Sequence, residues 1–167
     1  MSTPPRPPGW LPEEEYHRIF RKVTRMCVEV VVVDPDRGVL LARREIPPNV
    51  GAWHIPGGTV LFGERVTAAV RRIAREEIGL DVDVGALLGY IEYPSHYENG
   101  LDSPVGLAFA CTLIDERDGT IDPSCRWWTE LPPGTYAEQR AFLVDQVGFG
   151  RPSECGRPSE TDGRTTT

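Results

Sequence analysis

Blocks of apolar residues along the chain predict its strands, and the most apolar block lies near the N-terminus. Residues 26–33 (MCVEVVVV) are apolar and mostly β-branched apart from Glu29, which predicts a central strand. Residues 35–38 (PDRG) predict a turn, and residues 39–43 predict a second strand after it. Because the connection is short, we expect these two strands to pair as a hairpin.

Helical periodicity is clearest over residues 64–78, which are followed by Gly79, a residue type common just after a helix C-terminus. Residues 11–23 and 137–147 are also predicted to form helices. The other apolar stretches predict strands at residues 53–55, 82–93, 105–114 and 125–129. Strands and helices follow one another without regular alternation, so the sequence predicts a mixed sheet with helices packed on it.

The two ends of the chain differ in composition from the middle. Residues 1–9 are rich in proline and residues 150–167 are polar, so the first are predicted to be disordered and the second to form a flexible tail. The folded domain is expected over residues 10–149. A chain of 167 residues is long enough for one such domain and too short for two.

Charge and hydropathy narrow the class of ligand. The net charge of −7 argues against a nucleic-acid polymer, although a small anion needs only a local cluster of positive groups. The chain has no secretory leader and no apolar stretch of the ~18 residues that a membrane span needs, so we expect a cytoplasmic protein without a membrane partner. Its four cysteines form no Cys-x-x-Cys pair and are expected to be free, buried thiols. They are Cys27, Cys111, Cys125 and Cys155.

The predicted helix at residues 64–78 carries the residues with the clearest chemistry. Near its end lie Glu76 and Glu77, and two adjacent carboxylates repel one another unless a cation lies between them. Their oxygens suit Mg²⁺ or Mn²⁺. Arg72 lies one turn before Glu76, where it can contact that carboxylate. The alternative is a solvated helix whose charges merely pair along its surface. The pair of glycines before the helix, Gly57 and Gly58, argues against this alternative.

The spacing in this region resembles the Nudix box: Gly, five residues, Glu, seven residues, then Arg-Glu-apolar-any-Glu-Glu-any-Gly-apolar. The matching residues are Gly58, Glu64, Arg72, Glu76, Glu77, Gly79 and Leu80. The resemblance implies an α/β/α sandwich and a Mg²⁺-dependent hydrolase of a small diphosphate-containing nucleotide. It also implies that Glu76, Glu77 and the Gly57 carbonyl bind Mg²⁺ (or Mn²⁺), while Arg72 orients the carboxylates.

One position departs from the box, because Ile73 stands where most members have a glutamate. On a helix Ile73 lies one turn before both glutamates, where a third carboxylate would complete the cluster. Its simplest interpretation is that it belongs to the apolar face that packs on the sheet. The site could therefore keep Mg²⁺ with fewer carboxylates, hydrolyse a different bond, or bind nucleotide without turnover.

The chain is also similar to the GDP-mannose mannosyl hydrolases, Nudix enzymes that carry an apolar residue at this position and cleave a sugar C–O bond. The similarity implies that Arg44 contacts the diphosphate and that Glu29 lies in the pocket. These enzymes take their base from a histidine, whereas residues 119–124 here contain none. Asp122, Glu98 and Glu64 are the candidate bases.

Other residues add less to this prediction. Tyr97 is a candidate substrate contact in an aromatic loop after the box. The three tryptophans Trp53, Trp127 and Trp128 are expected in the core rather than as platforms for a nucleobase.

The function predicted first is hydrolysis of a nucleoside diphosphate linked to another moiety, with a nucleotide sugar such as GDP-mannose ahead of other substrates. A P–O-cleaving pyrophosphatase of ADP-ribose, dinucleoside polyphosphates or nucleoside triphosphates is one alternative. A catalytically silent nucleotide-binding domain is the other. A homodimer is one assembly that the resemblance implies.

Overall fold

A computed structural model describes residues 9–46, 49–114 and 120–150. Of the two predicted disordered ends, only Gly9 and Gly150 lie inside these ranges. The strands are β1 Arg25–Val31, β2 Val33–Asp34, β3 Gly38–Arg43, β4 Trp53–His54, β5 Gly57–Thr59, β6 Val82–Glu92, β7 Pro104–Leu113 and β8 Cys125–Trp128. The helices are α1 Glu13–Phe20, α2 Val66–Ile73 with a π-helical continuation Ala74–Ile78, α3 Pro94–Glu98 and α4 Ala137–Asp145. No helix in these ranges has the length and apolar character needed to cross a membrane.

The strands form two sheets. In the first, the order is β5-β1-β7-β6, with β1 parallel to β7 and the other pairs antiparallel. In the second, β3 pairs antiparallel with β2, β4 and β8. The first sheet is mixed and carries helices, as the lack of regular alternation predicts.

The predicted hairpin of residues 26–33 and 39–43 is only partly correct. The chain changes sheet at Val32, so that only Val33 and Asp34 pair with β3, while β1 pairs with β7 along its whole length. Residues 27–32 are all buried. A strand buried on both faces needs neighbours on both edges to satisfy its backbone groups, and β5 and β7 supply them.

Alternate residues of the first strand face two different core clusters. Val28 and Val30 pack with Val70 and Ile73 of α2, and Val31 packs with a cluster that includes residues of α4. The sheet therefore has a helix on each face, which gives the predicted α/β/α arrangement. Glu29 shares the face of Val31, and this directs its carboxyl group towards α4.

Two sequence predictions about side chains in the core can be checked here. Cys27, Cys111 and Cys125 are free and buried, as predicted, and Cys155 lies outside the described residues. Trp53, Trp127 and Trp128 are partly buried and pack against the two core clusters. The tryptophan prediction is thereby confirmed.

Candidate active site

Two glycines make room for the carboxyl group of Glu29 inside the sheet. Glu29 is opposite Gly57 in the antiparallel pair of β1 and β5. A Cβ at Gly57 would lie 2.1 Å from Glu29 Oε2, and a Cβ at Gly106 would lie 2.4 Å from Glu29 Oε1. Any larger residue at either position would displace the carboxyl, so both neighbouring strands need glycine here.

A chain of hydrogen bonds fixes Glu29 from the other side. The Tyr93 hydroxyl donates to Glu29 Oε1 at 2.6 Å, and Gln139 Nε2 donates to that hydroxyl oxygen at 2.8 Å. The backbone N–H of Ile55 donates to Gln139 Oε1 at 2.8 Å, which fixes the amide orientation. Burial raises the pKa of Glu29 to about 8 although the Tyr93 hydrogen bond opposes the shift. Glu29 is therefore largely neutral near pH 7 and adds little negative charge to the site.

Glu76 and Glu77, in the π-helical continuation of α2, lie in different environments. Glu77 is partly buried, and its Oε2 accepts a hydrogen bond of 3.1 Å from the backbone N–H of Gly57. Burial raises the pKa of Glu77 to about 7, while the Gly57 N–H and Arg44 act in the opposite direction. The side chain of Glu76 is 45% exposed. Of this pair, Glu77 is the carboxylate that adjoins the Gly57 end of β5.

Arg72 links three parts of the box. Its Nε and Nη2 donate to the two carboxylate oxygens of Glu64, each at 2.8 Å. Nη2 also donates to the Thr59 carbonyl at 2.9 Å, and Nη1 donates to Glu76 Oε2 at 3.0 Å. The predicted contact between Arg72 and Glu76 is confirmed. Because its two oxygens are already bound by Arg72, which lowers its pKa, Glu64 is a poor proton acceptor.

Ile73 belongs to the core, as its apolar neighbours predict. It is 4% exposed and packs with Ala69 and Val70 in the cluster beneath the sheet. A Cβ at Gly58 would lie 2.3 Å from Ile73 Cδ1, so the isoleucine covers the glycine pair. Over residues 9–46, 49–114 and 120–150, no three His, Cys, Asp or Glu side chains are grouped as a metal site would require.

A pocket of about 110 Å³, partly open to solvent, lies beside these residues. It contains two cationic side chains, Arg44 and Arg25, of which Arg25 is ion-paired with Asp102. The charge of Arg44 would attract an anionic ligand. Its lining residues are Arg25, Cys27, Glu29, Arg44, His54, Ile55, Gly57, Gly58, Tyr93, His96, Pro104, Tyr136 and Gln139. The pocket thus brings Glu29, Arg44 and Gly57 together, three residues that are far apart in sequence.

The pocket lining does not include the box residues Arg72, Glu76 and Glu77, nor the predicted site residues Tyr97 and Asp122. Tyr97 is on the exposed side of α3, with 57% of its surface accessible. Asp122 begins a turn in which its carboxylate accepts hydrogen bonds from the N–H and hydroxyl of Ser124, at 2.8 and 2.7 Å. These bonds lower the pKa of Asp122, so the structure favours its role as a turn residue over its role as a base.

Comparison with known proteins identifies the family. The family model for the NUDIX domain matches residues 23–142, which is more than half of the chain. The chain belongs to the Nudix family. Its Nudix match contains the box, Glu29, Arg44 and all of the pocket residues named above.

Curated relatives of this Nudix chain have different names. The low-salt glycan biosynthesis protein Agl8 of Haloferax volcanii is 37% identical over 116 residues, covering 67% of this chain and 74% of that protein. A MutT-like protein of Streptomyces ambofaciens is 30% identical over 118 residues, with 70% and 69% covered. The ADP-ribose pyrophosphatase of Methanocaldococcus jannaschii is 38% identical over 69 residues, and that match covers only 41% of either chain.

Solved structures agree on the fold. A MutT protein from Methanosarcina mazei superimposes with a TM-score of 0.64 at 20% identity, covering 76% of this chain and 95% of that one. A MutT Nudix hydrolase from Burkholderia pseudomallei gives a TM-score of 0.60 at 24% identity, covering 75% and 99%. The predicted α/β Nudix fold is confirmed.

Nudix hydrolases generally use divalent cations such as Mg²⁺, and the donor set here fits one. Glu76 and Glu77 are adjacent hard oxygen donors, and the charge of Glu76 contributes to raising the pKa of Glu77. Arg72 and the Gly57 N–H hold the two carboxylates in place. The set has two carboxylates rather than three, because Ile73 occupies the third position.

Proposed function

We propose that this Nudix hydrolase acts on a nucleoside diphosphate linked to another moiety, and that a nucleotide sugar such as GDP-mannose is its first candidate substrate. The observation that carries the proposal is the composition of the pocket. Arg25 and Arg44 line it together with Gly57, whose backbone N–H donates a hydrogen bond to Glu77. Cationic side chains beside a carboxylate pair suit a diphosphate that is bound partly by arginine and partly through a divalent cation.

Most of the predicted site residues have a role in this proposal. Arg44 binds the diphosphate, and Glu29 contacts the substrate from the floor of the pocket. Glu76, Glu77 and the Gly57 carbonyl would hold Mg²⁺, which when bound stabilises negative charge on the leaving phosphate oxygen. Arg72 orients the carboxylates and thereby acts as a positioning residue.

Two observations favour cleavage of the sugar C–O bond. Ile73 fills the position of the glutamate that most members of the family use at the metal or as a base. In addition, Agl8, which is 37% identical over 116 residues, is named for glycan biosynthesis. The ADP-ribose pyrophosphatase relative supports the alternative of P–O cleavage, although that match covers 41% of the chain.

The test is a hydrolysis screen in ¹⁸O-labelled water with Mg²⁺, with products identified by mass spectrometry. The panel contains GDP-sugars, ADP-ribose, dinucleoside polyphosphates and nucleoside triphosphates. We expect label in the released sugar and an unlabelled nucleoside diphosphate, because water then attacks carbon. Label in a phosphate would instead establish P–O cleavage, and binding without turnover would establish a silent nucleotide-binding domain.

A further inference from the structure

A histidine and an aspartate that the Nudix box does not contain form a pair beside the pocket. His96 lies on α3 and lines the pocket, and its Nδ1 is 2.9 Å from Asp102 Oδ1. The two side chains are only 16% and 15% exposed. A buried contact of this length fixes the orientation of the imidazole ring.

The protonation of the pair follows from the second partner of Asp102. The Arg25 guanidinium forms an ion pair with the other carboxylate oxygen and also donates to Thr59 Oγ1 at 3.0 Å. Burial acts to raise the pKa of Asp102, but the hydrogen bond with His96 and the charge of Arg25 bring it down to about 2. An ionised carboxylate can only accept hydrogen bonds, so Nδ1 of His96 carries the proton.

The other ring nitrogen is then a proton acceptor. Nε2 makes no hydrogen bond to any residue in the described parts of the chain. The Tyr93 and Tyr136 rings flank the imidazole, with centroids 5.7 and 6.4 Å away. Glu138 is the remaining charged group nearby, and its Oε1 accepts a hydrogen bond from the Ser95 N–H.

His54 also lines the pocket, and its surroundings show why it is the weaker acceptor. Its Nδ1 lies 2.9 Å from the Ile55 carbonyl oxygen rather than from a carboxylate. Burial and the charge of Arg44 lower the pKa of His54, so a proton gained there is disfavoured. A proton gained by His96 is instead stabilised by Asp102.

We propose that His96 Nε2 is the general base of this enzyme and that Asp102 is its positioning residue, an inference that rests on the proposed function. In the step, the oxygen of a water molecule forms a bond to the anomeric carbon while its proton moves to Nε2. The bond between that carbon and the diphosphate oxygen breaks, and its electron pair leaves with the nucleoside diphosphate. The pair supplies the base that the box lacks at Ile73.

The experiment compares His96→Gln with wild-type enzyme on the substrate found in the labelling screen. We expect kcat to fall by about 10²-fold or more with KM nearly unchanged, because a positioned base contributes that much to a proton transfer. The acidic limb of the wild-type pH profile should disappear. Imidazole added to His96→Gly should restore part of the lost rate, which a merely structural defect would not allow.

Asp102→Asn provides a second measurement if the His96 variants fold poorly. Loss of the carboxylate should lower kcat and move the acidic limb to lower pH, since the protonated imidazole loses its partner. His54→Gln should keep the acidic limb, and His17→Gln, exposed on α1, should behave as wild type.

Three results would overturn the inference. If His96→Gln retains kcat within about threefold of wild type, His96 is not the general base. A lowered kcat with an unchanged acidic limb and no imidazole rescue assigns His96 a structural role. A wild-type protein that turns over no member of the panel overturns the proposed function as well, so the two failures are distinguishable.

Discussion

Two hydrogen-bonded networks adjoin the pocket, a box wall around Arg72 and an opposite wall around Glu29, and they differ in how far apart along the chain their residues lie. In the box wall, Arg72 binds Glu64, eight residues away, and Glu76, four residues away. In the opposite wall, Tyr93 binds Glu29 across 64 residues and Gln139 binds Tyr93 across 46. The box wall is therefore fixed by one helix and its entrance, whereas the opposite wall exists only after the sheet and α4 have packed.

The walls also differ in charge and solvation. Arg72 forms ion pairs with the carboxylates of Glu64 and Glu76 at a partly exposed surface. Glu29 is buried without a direct cationic partner among the described residues. Protonation is therefore the least costly way to remove its negative charge. The comparison suggests that the box wall holds a cation, and that the opposite wall binds neutral parts of a substrate.

The largest expected effect comes from the carboxylate of the box wall that adjoins the pocket. Glu77→Gln keeps an oxygen for the Gly57 N–H but removes the negative charge proposed to bind the cation. We expect kcat/KM to fall by about 10²- to 10³-fold, because charge stabilisation by a bound metal ion is worth several kcal/mol. Steady-state kinetics across Mg²⁺ concentrations would measure this loss.

Glu76→Gln is the matched comparison, since its carboxylate is more exposed and already bound by Arg72. We expect a smaller loss there, and none for Glu14→Gln on the exposed surface of α1. Unchanged kinetics for Glu77→Gln in a folded protein would contradict the assignment of Glu77 to the metal.

Much of the box wall could be predicted from the sequence because helix geometry relates residues three to eight positions apart. The contact of Arg72 with Glu76 and the burial of Ile73 both follow from that geometry. The π-helical turn at Ala74–Ile78 did not follow, because spacing alone does not distinguish it from a continued α-helix.

The opposite wall could be predicted only in part. The resemblance to the GDP-mannose mannosyl hydrolases singled out Glu29, but its partners Tyr93 and Gln139 depend on strand order and on the packing of α4. The pairing of His96 with Asp102 could not be predicted for the same reason, since α3 ends between the two residues. A histidine and an aspartate six residues apart carry no periodic signal when the helix does not continue from one to the other.

The second effect tests whether the opposite wall is neutral. Folding raises the pKa of Glu29 from 4.5 to about 8, so its favourable contribution to stability is fully present below pH 4.5 and is lost as the pH rises towards 8. Glu29→Gln removes this titration. We expect the stability of wild type relative to Glu29→Gln to fall by about 1.4 kcal/mol per pH unit within that window.

Urea unfolding of both proteins between pH 5 and pH 8.5, without added metal, would measure the difference. Glu77 titrates in both proteins, so most of its contribution cancels in the comparison. Parallel pH profiles for the two proteins would mean that Glu29 is ionised in the folded state, and the contrast between the walls would then be one of position and not of charge.

The smallest effect concerns the outer edge of the opposite wall. Tyr97 was predicted to contact the substrate, yet its side chain lies on the exposed side of α3, on the same short helix as His96. If the pocket ends at His96, Tyr97→Ala should change kcat/KM by no more than about twofold, as expected for a surface substitution. Tyr93→Phe, which removes the hydroxyl bound to Glu29, should have the larger effect of the two. A rise in KM of tenfold or more for Tyr97→Ala would instead mean that the substrate site extends over α3. The opposite wall would then include a surface that forms only when substrate is bound.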